Sequence, residues 1–195
     1  MILITGFEPF DKAESNPSYE AVKMLPEKIK GKTIEKLELP VVFAEAAEVV
    51  IAKIRENSPE AVIMTGVAGG REKITPEVVA INLADARIPD NKGNAPKWQP
   101  IIGDGPDGIF STLPVQEMVR RMNETGYGAA LSFSAGSYVC NDTFYRVCNY
   151  IKEKEPEIPC GFIHVPNPKG TEKGTDMTVE DFAKALEICV EAVAD

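Results

Sequence analysis

Residues 129–154 read AALSFSAGSYVCNDTFYRVCNYIKEK. The stretch opens on a short apolar run, Ala129–Ser134, which predicts a strand. It passes through the small residues Ser134, Ala135, Gly136 and Ser137, and continues as a helix expected over Ser137–Lys154. A strand leading straight into an amphipathic helix is the repeating unit of an α/β domain. Downstream, Cys160–Val165 is another apolar run, expected as a strand ending in a Pro-rich loop. The last helix is expected to start at a capping pair, Thr178 and Asp181, and to run to about Ala192. Upstream, Val115–Glu124 has helical period. Ala84–Gly108 is loop-rich, with Pro89, Pro96, Pro100 and Pro106, and so long an irregular stretch in a compact domain is usually functional or disordered. Pro76–Leu83 alternates as an extended segment, Gly66–Arg71 reads as a Gly-rich turn and Ala61–Thr65 as a buried strand. Before them come a helix over Phe43–Glu56 and a strand over Thr33–Val42. A helix is expected from the cap Asn16 and from Pro17, at the first helical position, to about Lys30. Gly6–Ser15 is a loop and Met1–Thr5 a strand. Together these predict a single α/β domain over residues 1–195: three layers, α/β/α, around a twisted, mostly parallel sheet. The site is expected at the carboxyl ends of the strands.

The bulk numbers agree with one packed domain. The chain has 195 residues, 44% hydrophobic and 26% charged. A chain this long buries a sizeable core without disulfides. Its 30 acidic and 21 basic side chains leave a net charge of −9, which argues against a nucleic-acid partner and against docking on an anionic membrane. No run of about 18 apolar residues is present to span a bilayer. The amino-terminal MILITGFEPF has no basic leader or small-residue cleavage site, so it reads as a strand rather than a signal peptide. A cytoplasmic location is expected, with Cys140, Cys148, Cys160 and Cys189 as reduced thiols. No two are spaced Cys-x-x-Cys and the chain has one histidine, so neither a zinc site nor any other metal or cofactor is expected.

Histidine-dependent chemistry has only His164 to use. It ends an apolar strand at the rim of the sheet, and the plainer reading is a buried structural histidine. Cys140 follows the small-residue junction in the first turn of the expected helix. There the helix dipole favours a thiolate and backbone N–H groups are available to an oxyanion. The plainer reading is a small buried hydrophobe, which is preferred for Cys148, Cys160 and Cys189. Glu77 leads into an apolar segment, either as a surface charge or as the carboxylate that orients an imidazole. The Gly-rich Gly66–Arg71 matches neither the dinucleotide fingerprint nor a P-loop, and no Gly-x-Ser-x-Gly elbow is present.

Taken in order, further short motifs make the chain recognisable. They are Gly6-Phe7-Glu8-Pro9-Phe10, Asn16-Pro17, Leu39-Pro40-Val41, Pro76-Glu77 with Ala80-Ile81-Asn82, Asp85-Ala86-Arg87-Ile88-Pro89-Asp90-Asn91, Phe110-Ser111-Thr112-Leu113-Pro114, Ser134-Ala135-Gly136 through Tyr138-Val139-Cys140-Asn141, and Gly161-Phe162-Ile163-His164-Val165-Pro166. The sequence resembles the type I pyroglutamyl peptidases over nearly its whole length. The resemblance implies a triad of Cys140, His164 and Glu77. It implies that Arg87 lies close to the nucleophile and that Phe7 and Phe10 line a pocket for the pyroglutamyl ring, with Asn16 and Val139 as further substrate-binding or oxyanion-supporting candidates. It further implies cytoplasmic dimers or tetramers, no metal, and peptides with N-terminal pyroglutamate as partners. Departures from the family pattern are Val78, where Arg usually follows the glutamate, and Asp11-Lys12, where Gly-Gly is common. Val67 stands at a variable position.

The expected reaction is hydrolysis of the amide bond after the N-terminal pyroglutamyl residue through a thioester. A neutral lactam calls for an apolar slot rather than a carboxylate for an amine. Two other readings are a general cysteine amidase and an inactive binder of N-terminally blocked peptides.

Overall fold

The computed structural model describes every residue except Lys12, so that half of the Asp11-Lys12 departure lies outside the described residues. A six-stranded sheet is built from β1 (Ile2–Phe7), β2 (Lys28–Ile29), β3 (Lys32–Leu39), β4 (Ala61–Val67), β5 (Thr75–Pro76) and β8 (Cys160–Val165), and a two-stranded sheet from β6 (Val79–Ile81) and β7 (Gly108–Phe110). The helices are α1 (Pro17–Met24), α2 (Glu45–Asn57), α3 (Val115–Glu124), α4 (Val139–Lys154) and α5 (Val179–Ala194). The large sheet runs β2-β3-β1-β4-β8-β5. Its four inner strands are parallel, and the two-residue edge strands β2 and β5 are antiparallel.

The inner strands are nearly unbroken apolar runs because both faces are covered. Their side chains alternate between two cores. Leu3, Val62, Met64, Cys160 and Phe162 pack with residues of α2 and α4. Ile2, Ile4, Ala61, Ile63, Ile163 and Val165 pack with α1, α3 and α5 on the other face. This is the expected three-layer α/β/α arrangement. Each Ile, Leu or Val buried here is worth roughly 1.5–3 kcal/mol relative to exposure. Helix α1 lies so close to β1 that a β-carbon on Gly6 would stand 2.6 Å from the Tyr19 Cα.

Local chemistry sets most element ends. The Asn16 side chain accepts from the Ser18 N–H and caps α1. The Thr178 and Asp181 side chains form a reciprocal capping box on α5. Several expectations need correction. Helix α1 stops at Met24 and does not reach Lys30: Pro26 forces Leu25 into an extended conformation, with ψ 145°. Strand β3 ends at Leu39 because Pro40 brings no N–H to the ladder. Gly6, Phe7, Gly66 and Val67 continue their strands and are not turn or loop. Residues 129–134 form no regular strand. They are held beside residues 74–78 by isolated bridges, Ile74 with Ala129 and Glu77 with Ser132.

Candidate active site

Strand parity fixes the site. His164 is in step with Cys160 and Phe162, so its ring faces α4 rather than α5. In the β4–β8 ladder His164 pairs with Gly66, and paired residues point to the same side of a sheet. The space that Gly66 leaves is taken by Cys140, whose Sγ lies 2.9 Å from where a β-carbon on Gly66 would stand. The Gly66 backbone lies one strand spacing, about 4.8 Å, from that of His164, so the sulfur sits over the strand next to the histidine, on the face that the imidazole occupies. No thiol–imidazole hydrogen bond is formed among the described residues; such bonds often tighten only with substrate present.

Glu77 follows the edge strand β5. Its N–H donates to the Phe162 carbonyl at 2.8 Å, which turns its side chain to the same face. It is not a surface charge: its side chain is 0% exposed. Oε1 accepts from His164 Nδ1 at 2.7 Å and from Arg71 Nη1 at 2.7 Å, while Oε2 has no hydrogen-bond partner among the described residues. Arg71 also donates to the Thr75 hydroxyl and to the Ser134 carbonyl. It thus ties the carboxylate to the segment that leads into α4. The sequence reading set the Gly-rich stretch aside and missed this role. Its only signal was a lone arginine six residues before Glu77.

The electrostatics place the protons. Burial pushes the Cys140 thiol up to about 12, the Glu77 charge adds to the effect, and Arg71 opposes it. Burial thus acts against the helix dipole, which favours a thiolate at this position. Burial also lowers the His164 pKa, against the hydrogen bond and charge of Glu77, which raise it. Burial disfavours ionised Glu77, but the hydrogen bond and charge of His164 together with Arg71 outweigh it and hold the carboxyl below its usual range. The resting group is then a neutral thiol beside a neutral imidazole whose Nδ1–H is held by a carboxylate. That leaves Nε2 to accept a proton.

Helix α4 starts at Val139, and its N-cap, Tyr138, makes no side-chain cap hydrogen bond. The first-turn N–H groups have no intrahelical acceptor, so they remain donors beside the thiol.

A recess of about 50 Å³ opens at Cys140, lined also by Phe7, Phe10, Asn16, Val41, Val67, Tyr138 and Val139. None of these carries a formal charge. Four residues singled out from the sequence thus meet here: Phe7, Phe10, Asn16 and Val139. Asn16 serves two ends, since its Nδ2 donates to the Glu8 carbonyl at 3.0 Å while its Oδ1 caps α1. Tyr138 forms a wall with Phe10, at 6.5 Å between centroids, and is buttressed edge-on by Phe43 at 5.3 Å. Arg87 is exposed and does not line the recess. Its loop is nonetheless pinned near the nucleophile helix, because Asp85 N–H donates to the Ser137 carbonyl and Ser137 Oγ to the Asp85 carbonyl. Among the described residues no group of three or more His, Cys, Asp or Glu side chains is placed to hold a metal ion.

The sequence model of the pyroglutamyl peptidase family matches residues 1–195. The chain belongs to that family. Its relatives include a pyrrolidone-carboxylate peptidase of Clostridium perfringens, 45% identical over 199 residues, which cover 98% of this chain and 92% of that protein. Another, of Streptococcus pneumoniae, is 42% identical over 201 residues, covering 100% of this chain and 92% of the relative. Among solved structures, pyroglutamyl peptidase I from Bacillus amyloliquefaciens superimposes with a TM-score of 0.94 at 38% identity, covering 100% of this chain and 97% of that one. The pyrrolidone carboxyl peptidase of Thermococcus litoralis gives 0.93 at 34% identity, covering 100% and 93%. Family membership and the doubly covered sheet therefore agree. Among the described residues no helix is long and apolar enough to cross a membrane.

Proposed function

We propose that residues 1–195 act as one catalytic domain, a cysteine exopeptidase that hydrolyses the amide bond after an N-terminal pyroglutamyl residue. The observation that carries this reading is the His164 Nδ1–Glu77 Oε1 hydrogen bond on the sheet face where the Cys140 sulfur fills the space beside Gly66, next to a recess without formal charge.

The lactam ring enters between Phe7, Phe10 and Tyr138. A free amino-terminal ammonium would lose its hydration there with no carboxylate to replace it, a cost of several kcal/mol. The Cys140 thiol gives its proton to His164 Nε2 as its sulfur attacks the exocyclic carbonyl carbon. Because the thiol rests protonated, deprotonation and attack are coupled, and the imidazolium is formed only when needed. Glu77 stabilises that cation, and Arg71 keeps the carboxylate in place. The developing oxyanion is received by first-turn N–H groups of α4. His164 then protonates the departing amine, and later activates water to hydrolyse the thioester. The released peptide lies outside the recess, so only its blocked first residue is read closely.

The partners proposed are peptides beginning with pyroglutamate. Self-association into a dimer or tetramer, and a cytoplasmic location, are carried over from the family resemblance. A panel of pyroglutamyl, prolyl and glutaminyl amides tests the reaction. Turnover of the pyroglutamyl amide alone supports the peptidase. Comparable turnover of the glutaminyl amide would make the chain a general amidase, and no turnover of any would make it a binder.

A further inference from the structure

Two cysteines outside the candidate active site face each other. Cys148 lies on α4, eight residues after Cys140, and Cys160 opens β8, four residues before His164. Their sulfurs are 3.3 Å apart. A disulfide holds its sulfurs at about 2.05 Å, so bond formation asks for an approach of only about 1.3 Å. Both thiols line a cavity of about 320 Å³ with Ile109, Phe110, Ile151 and Ile158. Phe110 is 70% exposed, so the cavity reaches solvent. The other two cysteines have different surroundings. Cys140 borders the recess, and Cys189 is buried on the far face of the sheet, 3.7 Å from the Met122 sulfur.

We propose that Cys148 and Cys160 are a dithiol modification site, which hydrogen peroxide oxidises to an intramolecular disulfide tying α4 to β8. Cys148 is the entry point, because it is 4% exposed against 1% for Cys160. Its sulfur attacks the outer peroxide oxygen, the O–O bond breaks, and a sulfenic acid and water form. The Cys160 sulfur then attacks the Cys148 sulfur and displaces hydroxide, which takes up the Cys160 proton and leaves as a second water. Two thiols are oxidised by two electrons and one peroxide is reduced to two waters. Burial and the neighbouring sulfur hold the Cys160 thiol protonated, which disfavours it for the first attack on peroxide.

The bond has a mechanical consequence. Helix α4 carries Cys140 and strand β8 carries His164. A cross-link between them closes a short chain loop and restricts their separation on unfolding. The thermal midpoint of the oxidised chain is expected to rise by on the order of 5–10 °C.

The test uses the full chain with Cys140→Ser, which leaves three thiols. It is titrated with hydrogen peroxide, denatured, assayed for free thiols and mapped as peptides without reduction. The proposal expects one remaining thiol, at Cys189, a peptide joined through Cys148 and Cys160, a raised thermal midpoint, and reversal of all three by dithiothreitol. Adding Cys148→Ala or Cys160→Ala is expected to abolish the joined peptide and to leave both remaining thiols free at the same peroxide dose. Where such a variant does not fold, the peptide map of the Cys140→Ser chain decides alone. Three surviving thiols, Cys148 carried to sulfinic acid without a link, or a link through Cys189 or between chains would each overturn the proposal.

Discussion

The sulfur of Cys140 occupies the volume a side chain on Gly66 would need: a β-carbon there would stand 2.9 Å from Sγ and 2.9 Å from Phe162 Cζ. A glycine on β4 thereby positions a thiol on α4 beside a histidine on β8. Gly66→Ala is expected to displace the sulfur and strain the packed core by about 1–3 kcal/mol. Turnover of a pyroglutamyl amide is expected to fall at least about tenfold, since a misplacement of about an ångström is that costly to a reacting atom. Steady-state kinetics with a thermal melt checks both; unchanged turnover would mean the sulfur does not react from this position.

Arg71 is a second lever. Its guanidinium is 27% exposed, so water softens the loss when it is removed. Arg71→Met is expected to cost about 1–3 kcal/mol of stability, because Glu77 stays buried with one fewer donor. Its kcat is expected to drop about tenfold with KM little changed, as the arginine holds the Glu77 carboxylate and is absent from the recess lining. Arg71→Lys is expected to recover part of the stability but not the contact geometry. A change confined to KM would instead assign Arg71 to substrate binding.

Phe7 and Phe10 separate packing from binding. Phe7 is buried at the end of β1 and packs at 6.4 Å from Phe162, so Phe7→Ala is expected to cost about 3–5 kcal/mol. Phe10 lies on the loop and is only half-buried. Phe10→Ala is expected to change stability by no more than about 1 kcal/mol while raising KM for the pyroglutamyl amide about tenfold. A neutral result at Phe10 would make it a loop anchor and leave the recess without that wall.

The acid limb follows from His164 and Glu77. The folded pKa of His164 lies below its ordinary 6.5. The unfolded chain therefore binds more protons than the folded one as pH falls through 6.5, and stability is lost from there downward. Glu77, held below its ordinary 4.5, loses its contribution as pH falls further, through its folded pKa. The thermal midpoint is expected to be flat above pH 7 and to decline below 6.5. His164→Asn is expected to remove the decline between about pH 6.5 and 5 only. For activity, kcat/KM is expected to fall on an acid limb below pH 6.5. No alkaline rise from thiol ionisation is expected through pH 9, because the thiol is pushed up to about 12. A rise in kcat/KM between pH 7 and 9 would indicate a thiolate nucleophile in the resting chain.

Features with local causes were legible in the sequence. The Asn16-Pro17 start, the Thr178–Asp181 box, and the periodic runs Val115–Glu124 and Cys160–Val165 are written in a few adjacent residues. Cys140, His164 and Glu77 were singled out through rarity, junction chemistry and family motifs, and the structure brings Glu77 and His164 into hydrogen-bond contact. The readings that failed depended on distant partners. Residues 129–134 were apolar enough for a strand, but they lie outside the last full strand and pair only beside 74–78. The first helix was read from its start at Asn16-Pro17, and Pro26 was not given its weight as a stop. The Cys140 thiol was read from its helix position alone, whereas burial by the surrounding layers pushes its pKa the other way. Arg71 and the Cys148–Cys160 pair were invisible for the same reason: their partners become neighbours only when β5, α4 and β8 assemble.

The central claim is that the Cys140 sulfur becomes bonded to the pyroglutamyl carbonyl carbon during turnover. Acid quenching of the protein during rapid hydrolysis of a pyroglutamyl ester, followed by peptide mass mapping, tests it directly. One pyroglutamyl group is expected on the peptide containing Cys140, absent in His164→Ala and when substrate is omitted. A pyroglutamyl group found on Cys148, Cys160 or Cys189 instead, or undiminished turnover by a folded Cys140→Ser chain, would contradict it.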